Sequence, residues 1–151
     1  MSNDRPYLIL MADDDSDDRM LLKDAVEESR LPIDVQFVED GIDLMDYLNR
    51  RGQYSGVAAT TPHLILLDLN MPRKDGGEAL LEIKADPCLR HIPIVVLTTS
   101  RAERDIMRSY SLGASSYISK PSTFEDLVAL VCTLHEYWVK TVLVPARHLG
   151  G

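Results

Sequence analysis

Long hydrophobic runs are missing from this chain of 151 residues. The longest apolar stretches, at residues 63–68 and 92–97, have the length of single strands, whereas a transmembrane helix needs about 20 apolar residues. The apolar segment near the N-terminus is too short for the core of a secretory signal, and three aspartates follow it directly. We therefore expect no membrane insertion and no export, and we predict a cytoplasmic location.

Cysteine and positive charge are also scarce. Cys88 and Cys132 lie far apart without metal-like spacing, which favours two reduced thiols over a disulfide or a redox pair. Lysine and arginine number 16 against 24 acidic residues, for a formal net charge of −8, and they form no basic cluster. Because binding to a phosphate backbone depends on concentrated positive charge, we expect no nucleic-acid partner.

Short apolar segments alternate with helical patterns along the chain. The predicted strands lie at residues 7–12, 33–38, 63–68, 93–98 and 115–118, each followed by a predicted helix, of which the last covers residues 124–139. Ser16 and Asp17 are the predicted caps of the first helix. Strands that are apolar throughout are typical of a parallel sheet with helices on both faces. The sequence therefore predicts an α/β fold with a doubly wound, five-stranded parallel sheet.

Four of these strands end at a chemically distinctive residue. Asp13 and Asp14 follow the first strand, Asp68 ends the third, Thr98 ends the fourth, and the fifth leads into Lys120. The carboxyl ends of strands in an open parallel sheet share one edge, which is where such sheets bind ligands. We therefore expect these side chains to meet in one shallow pocket.

The composition of this pocket restricts its chemistry. Three neighbouring carboxylates repel one another, so they are either partly protonated or held around a cation. Oxygen ligands favour Mg²⁺, which keeps coordination positions open for water and phosphate oxygens. An aspartate beside such a cation can attack phosphorus and form an acyl phosphate, while a lysine and a hydroxyl stabilise the transferred group.

The segments ILMADDD, ILLDLNMP, IVVLTTS and YISKP occur in this order on the predicted elements. Together they resemble the receiver domain of two-component response regulators, the CheY-like family, over Tyr7 to about Trp138. The resemblance implies a flavodoxin-like (βα)5 receiver domain at residues 5–138, with residues 139–151 as a C-terminal extension. It also implies a single-domain response regulator in a phosphorelay, phosphorylated by a sensor histidine kinase. Such a protein is a signalling domain and not an enzyme, since it assists only its own phosphorylation and dephosphorylation.

By position, the resemblance implies a Mg²⁺ site formed around the phosphoacceptor. Asp68 matches the residue that is phosphorylated, and it also contacts the metal. Asp14 matches the direct carboxylate ligand, while Asp13 acts mainly through water. Asn70 supplies a backbone carbonyl to the metal, and its side chain is expected to tune the loss of the phosphoryl group.

The resemblance further implies a switch beside this site. Thr98 matches the switch hydroxyl, Lys120 matches the lysine that pairs with the phosphoryl group, and Tyr117 matches the aromatic residue that turns inward after phosphorylation. The side chain of Ser100 is expected to tune the lifetime of the phosphoryl group. The peptide bond between Lys120 and Pro121 is expected to be cis.

Several other polar residues are predicted to have local or structural roles. Asp15, Asp17 and Asp18 are interpreted as solvated or capping residues, and Asp75 as part of the turn after Pro72. The four histidines share no ligand spacing.

Other functions were compared with the receiver hypothesis. A haloacid-dehalogenase-like phosphatase needs a general-acid aspartate where this chain has Asn70. A flavodoxin-like carrier needs a phosphate-binding loop where this chain has DDDSDD. A DNA-binding regulator would need an output domain for which no residues remain. A receiver that binds proteins without being phosphorylated is the nearest alternative.

The last predicted helix and the residues after it form a second informative region. Apolar side chains up to Trp138 follow helical spacing and are predicted to pack on the sheet. Tyr137, Trp138 and Val142 belong to an apolar patch that either folds back on its own domain or forms an interface. This tail, the loop at residues 50–62 and residues 72–76 resemble response regulators paired with bacterial phytochromes, which form symmetric dimers through their last helices. We therefore predict a homodimer and a bacterial phytochrome as a candidate kinase.

Overall fold

The computed structural model describes residues 6–56 and 60–141 of the chain. Strands and helices alternate within these ranges, as predicted. In chain order they are β1 (Tyr7–Ala12), α1 (Ser16–Ser29), β2 (Ile33–Val38), α2 (Gly41–Asn49), β3 (Leu64–Leu67), α3 (Gly76–Ala85), β4 (Ile94–Thr98), α4 (Glu103–Ser111), β5 (Ser116–Ser119) and α5 (Phe124–His135). A short 3-10 helix, Gly52–Tyr54, lies in the loop between α2 and β3.

The strands form one parallel sheet with the order β2-β1-β3-β4-β5. This order confirms the doubly wound parallel sheet. It places β1 beside β3, with Ala12 opposite Leu67 at the last paired position. The residues that follow, Asp13 and Asp68, therefore leave the sheet side by side, and the backbone N–H of Asp68 donates to the carbonyl of Ala12 at 3.0 Å.

Two apolar layers cover the sheet, one on each face. Side chains alternate along a strand, so Ile65 and Leu67 of β3 face the layer that contains α2 and α3. Leu64 and Leu66 face the opposite layer, which contains α1 and α5. Burial on both faces explains why the strands are apolar throughout. In contrast, α4 has only one buried residue, Ser109, and is therefore the least anchored of the five helices.

Three helices begin at an aspartate cap, and α2 is the one capped by Asp40, whose carboxylate accepts from the backbone N–H of Asp43. Asp15 is the N-cap of α1, and its carboxylate accepts hydrogen bonds from the backbone N–H groups of Asp17 and Asp18. The prediction of Ser16 and Asp17 as caps was wrong by one or two positions, because Ser16 is already the first helical residue. Asp75, which was assigned to a turn, is the N-cap of α3 and forms a reciprocal capping box with Glu78.

The C-terminal helical region differs from the prediction of a single helix at residues 124–139. The α-helical part, α5, ends at His135, and Glu136–Thr141 continue as a π-helix. The hydroxyl of Thr141 donates to the carbonyl of Glu136 at 3.0 Å, which links the last residue of the π-helix to its first. Trp138 packs against the apolar layer of α1 and α5, as predicted. Val142, the third predicted interface residue, lies outside the described residues.

The structure also bears on two sequence predictions, one about membrane-spanning helices and one about the two cysteines. Over the described residues, no helix combines the length and the apolar character needed to cross a membrane. Cys88 and Cys132 are both exposed and unpaired, which agrees with the expected absence of a disulfide between them.

Candidate functional site

Asp13 is held at the end of β1 by backbone contacts. Its side chain is fully buried, and its Oδ1 accepts a hydrogen bond from the backbone N–H of Asp15 at 2.9 Å. The guanidinium of Arg19 donates to the Asp13 carbonyl at 2.7 Å, which ties α1 to the end of the strand. The remaining oxygen, Oδ2, is buried without a well-oriented hydrogen bond among the described residues. One carboxylate oxygen is therefore fixed by the backbone, while the other is in contact only with the Lys120 ammonium, at 2.8 Å, among the described residues.

Asp68 lies beside Asp13 and is 6% exposed. Its Oδ1 accepts from the backbone N–H of Asn70 at 3.2 Å, and its Oδ2 accepts from the Lys120 ammonium at 3.1 Å. The chain returns past this residue at Gly76, whose N–H donates to the carbonyl of Leu69 at 3.1 Å. A side chain at Gly76 would place its Cβ against the Asp68 carbonyl and 2.8 Å from the Leu69 Cα. The loop that carries Asp68 is therefore closed against α3 without space for a methyl group.

The acidic residues at the two strand ends converge as predicted. Asp13, Asp14 and Asp68 each place one carboxylate oxygen within 4.8 Å of the other two. Asp14 is exposed, unlike the other two carboxylates, so the group is open to solvent on one side. Three oxygen donors, one of them buried without a good partner, fit a hard divalent cation. Within residues 6–56 and 60–141, no other group of three His, Cys, Asp or Glu side chains is arranged in this way.

Lys120, directly after β5, contacts the acidic residues. Its Nζ lies 2.6 Å from Asp18, 2.8 Å from Asp13 and 3.1 Å from Asp68, measured to one carboxylate oxygen of each. Burial disfavours the charged ammonium, but its close contacts with the carboxylates of Asp13 and Asp18 and the charge of Asp68 outweigh it and raise the pKa of Lys120. Lys120 is therefore a protonated cation at neutral pH.

Asp13 shows the opposite balance. Burial raises the pKa of its carboxyl above the ordinary value, and the ammonium of Lys120 and the N–H of Asp15 offset this only in part. The contact of Lys120 with Asp13 Oδ2 is short, but its orientation does not satisfy that oxygen as a hydrogen bond. The charged form of Asp13 is therefore costly in the metal-free protein.

Asp18 was interpreted from the sequence as a solvated or capping residue, and this interpretation was wrong. It lies in the first turn of α1, and its carboxylate accepts a hydrogen bond from Lys120. The available sequence signal was the position of Asp18 in the first turn of the helix that follows the Asp13–Asp14 pair. That position alone does not show which way the side chain points.

Thr98 is fully buried at the end of β4. Its hydroxyl has no hydrogen-bond partner among the described residues, while its carbonyl accepts from the backbone N–H of Lys120 at 2.9 Å. An unpartnered buried hydroxyl is unfavourable on its own. Thr98 therefore offers a free hydroxyl beside the predicted phosphoacceptor pocket.

Tyr117 on β5 is half-buried and connected to the loop after β4. Its hydroxyl donates to the carbonyl of Ser100 at 2.9 Å, and its backbone N–H donates to the hydroxyl of Tyr110 on α4 at 3.1 Å. The hydroxyl of Ser100 in turn donates to the carboxylate of Asp105 at 2.7 Å. These bonds link the segment next to Thr98 to both β5 and α4.

The predicted cis bond before Pro121 is absent. No described peptide bond is cis, so Lys120 and Pro121 are joined in the trans form, which is the lower-energy isomer even before proline.

Asn70, the predicted source of a backbone carbonyl for the metal, has an exposed side chain, and its backbone N–H donates to Asp68.

Comparisons with known proteins agree with this geometry. Residues 9–132 match the response regulator receiver domain family. Response regulator Rcp1 of Synechocystis sp. is 39% identical over 141 residues, which cover 93% of this chain and 95% of that protein.

Two solved structures are similar over most of the chain. One is the phosphorylated cyanobacterial phytochrome response regulator RcpA, with 41% identity, a TM-score of 0.84, and coverage of 93% of this chain and 99% of that chain. The other is the Mn²⁺-bound form of Rcp1, with 39% identity, a TM-score of 0.82, and coverage of 93% of this chain and 100% of that chain. The parallel sheet, the acidic pocket and these similarities together show that the chain belongs to the response regulator receiver domain family and is a response regulator of two-component signalling.

Proposed function

We propose that Asp68 accepts a phosphoryl group from a sensor histidine kinase and that Mg²⁺ is the cation required. Asp13, Asp14 and Asp68 would hold the cation with their carboxylates, and Asn70 with its backbone carbonyl. The observation that carries this proposal is the meeting of the three carboxylates within 4.8 Å, beside the Lys120 ammonium. The Mn²⁺-bound form of Rcp1 supports a divalent cation in a similar protein.

The proposed reaction transfers a phosphoryl group from a histidine nitrogen of the kinase to a carboxylate oxygen of Asp68. A carboxylate oxygen of Asp68 attacks the phosphorus of a phosphohistidine, the P–N bond breaks, and an acyl phosphate forms. When bound, the cation would neutralise negative charge on the carboxylates and on the transferred oxygens. Lys120 is already 3.1 Å from Asp68 Oδ2, so its ammonium remains next to a phosphoryl group attached there. The chain assists only this reaction and the hydrolysis of its own acyl phosphate.

The switch begins at Thr98. Its buried hydroxyl has no hydrogen-bond partner within residues 6–56 and 60–141, and a phosphoryl oxygen on Asp68 would provide one. Movement of Thr98 toward that oxygen would displace the adjacent loop, in which the Ser100 carbonyl holds the Tyr117 hydroxyl. The inward turn of Tyr117 follows from release of this bond, as a shift between two packings. The weak burial of α4 supports a change on the surface formed by α4 and β5.

A sensor kinase of the bacterial phytochrome type is the proposed upstream partner, because a similar structure is that of a cyanobacterial phytochrome response regulator. We also propose that the receiver domain comprises residues 5–138 and that residues 139–151 extend it. A homodimer through this end is supported by the exposure of Tyr137 (52%) and Val139 (42%) next to the partly buried Trp138. Val142 is kept in the proposed interface from its sequence position alone.

The phosphoacceptor is tested by incubating the protein with acetyl phosphate, with and without Mg²⁺, and recording the intact mass. We expect a gain of one phosphoryl group that requires Mg²⁺ and is absent in Asp68→Asn. Asp24→Asn is the matched control, because Asp24 is an exposed aspartate of α1 outside the pocket and its loss should leave labelling unchanged. Labelling of Asp68→Asn would refute the assignment. Failure of wild type with both acetyl phosphate and a phosphorylated kinase would favour a receiver that binds proteins without phosphorylation.

The dimer is tested by light scattering at micromolar concentration. A charged side chain in an apolar interface is costly, so Tyr137→Glu should give a monomer. Leu81→Glu is the control, because Leu81 is an equally exposed apolar residue (55%) on α3. Equal molar masses for wild type and Tyr137→Glu would contradict the proposed interface.

A further inference from the structure

Asp18 holds the ammonium of Lys120 more closely than the two strand-end carboxylates do. Its Oδ2 lies 2.6 Å from Nζ, compared with 2.8 Å for Asp13 and 3.1 Å for Asp68. The position of Asp18 is set by α1, whose N-cap Asp15 accepts a bond from the Asp18 backbone N–H. The first helix thus brings a fourth carboxylate to Lys120, from a direction different from the strand ends.

Two cations have to share the strand-end carboxylates if the proposed function is correct. Lys120 contacts Oδ2 of Asp13 and Oδ2 of Asp68, and both residues belong to the group of oxygens that fits a divalent ion. An ammonium drawn fully onto these oxygens would repel the ion and occupy its ligands. The ammonium therefore needs another negative partner while the ion is bound, and Asp18 is the partner at hand.

We infer that Asp18 is a positioning residue that holds Lys120 on the α1 side of the pocket and so leaves the carboxylates of Asp13 and Asp68 available to the divalent cation. This inference rests on the proposed function. Asp18 acts through Lys120, because it is not one of the three carboxylates that converge within 4.8 Å. A lysine ammonium has three N–H donors, so one bond to Asp18 leaves two for Asp68 and the oxygens of its phosphoryl group.

An ion pair on the solvent-exposed surface would not hold Lys120 in place in this way. The pair of Lys120 and Asp18 is less exposed than such a pair. The side chain of Lys120 is 15% exposed and that of Asp18 is 30% exposed, so their attraction is screened less than that of an exposed pair. Without Asp18, the only carboxylates left in contact with Nζ among the described residues are those of Asp13 and Asp68. The ammonium would then compete more strongly with the cation.

The test measures Mn²⁺ dissociation constants of the purified full chain by titration calorimetry. We expect Asp18→Ala to weaken Mn²⁺ binding about tenfold, as is typical for loss of a residue that orients a metal site from outside it. Asp18→Asn keeps an acceptor for Lys120 without the charge and should recover part of the loss. Asp17→Ala is the matched control, because it removes the same charge from an exposed neighbour in the same helical turn and should change binding less than about twofold.

A double-mutant cycle separates this role from a general effect of charge or folding. If Asp18 acts through Lys120, Asp18→Ala should have no further effect on Mn²⁺ binding in a Lys120→Gln background. Equal binding by Asp18→Ala and Asp17→Ala, or an undiminished effect of Asp18→Ala in the Lys120→Gln background, would overturn this inference and leave the proposed function standing. Absence of Mn²⁺ binding by wild type would overturn the metal site and the inference together.

Discussion

Asp13 and Asp40 are buried carboxylates at the same edge of the sheet, 0% and 8% exposed, and each follows a strand. Asp40 is fully paired. Its Oδ2 accepts from Nε of Arg73 at 2.7 Å, and its Oδ1 accepts from Nη2 of Arg73 at 3.1 Å and from the backbone N–H of Asp43 at 2.8 Å. Asp13, in contrast, has one oxygen without a well-oriented hydrogen-bond partner in the part of the chain that the structure describes.

The pKa values of these two residues move in opposite directions. Burial disfavours the charge of Asp40, but the hydrogen bonds from Arg73 and Asp43 outweigh it and lower its pKa. Burial dominates at Asp13 and raises its pKa. A carboxylate whose bonds are all made within the protein stabilises the fold, whereas one that is buried and incompletely bonded is available for a ligand. Burial alone does not distinguish the two.

The largest expected effect is on metal affinity, and it separates the two carboxylates. Asp13→Asn should weaken Mn²⁺ binding by about tenfold or more, because it removes a negative charge from the cluster and replaces one carboxylate oxygen with an amide nitrogen. Asp40→Asn should leave the affinity within about twofold, since Asp40 is not part of that cluster. Calorimetric titration measures both. Similar losses in the two variants would show that the distinction between them is wrong.

The next effect concerns the backbone beside Asp68, where two adjacent glycines differ. Gly76→Ala would press a methyl group against the backbone of Asp68 and Leu69, and we expect a loss of about 1–3 kcal/mol in the free energy of unfolding. Gly77→Ala meets only the end of the flexible Arg108 side chain, which is exposed and can move. This control should be neutral or stabilising, since alanine is the better helix former by about 1 kcal/mol. Urea unfolding measures the free energy of unfolding of both variants. Equal values for Gly76→Ala and Gly77→Ala would contradict the predicted clash.

The smallest effect is the pH dependence that Asp40 contributes. Its pKa is lower in the folded than in the unfolded chain, where the ordinary value is 3.8. Asp40 therefore contributes stability that is fully present above this value and is lost as pH falls through the folded-state pKa. Asp40→Asn keeps a residue that can cap α2 but removes the charge, so it should be less stable than wild type at pH 6.

This difference should shrink as pH falls below 3.8. It is measured by urea unfolding of both proteins across that range, with Asp24→Asn as an exposed control that should show no such trend. If the difference in stability between wild type and Asp40→Asn stays constant with pH, packing and not the charge of Asp40 accounts for the stabilisation.

The sequence predicted most of the fold because the strands carry a strong signal. Burial on both faces makes them apolar throughout, and the bounds of β1 and β2 agree with the prediction. The shared edge of a parallel sheet also predicted that Asp13, Asp68 and Lys120 meet. These conclusions depend on topology, which short apolar segments indicate well.

Features that depend on side-chain direction or local backbone shape were missed. The bond of Asp18 to Lys120 depends on the rotation of α1 about its axis. The sequence position of Asp18 in the first turn does not determine that rotation. The Arg73–Asp40 pair depends on a left-handed backbone at Arg73, with φ of 64°, and arginine gives no sequence signal for it. The π-helix at Glu136–Thr141 likewise follows from local hydrogen bonding that hydrophobic spacing does not encode.

Lys120 reaches back across 102 positions of the chain to bond Asp18, and this has a consequence for protein synthesis. A ribosome releases the first three strands, with every carboxylate of the pocket, before it has made the lysine that joins them. An unfinished chain therefore carries Asp68, the proposed phosphoacceptor, without the ammonium that lies beside it. We expect a chain that stops before Lys120 to label poorly with acetyl phosphate.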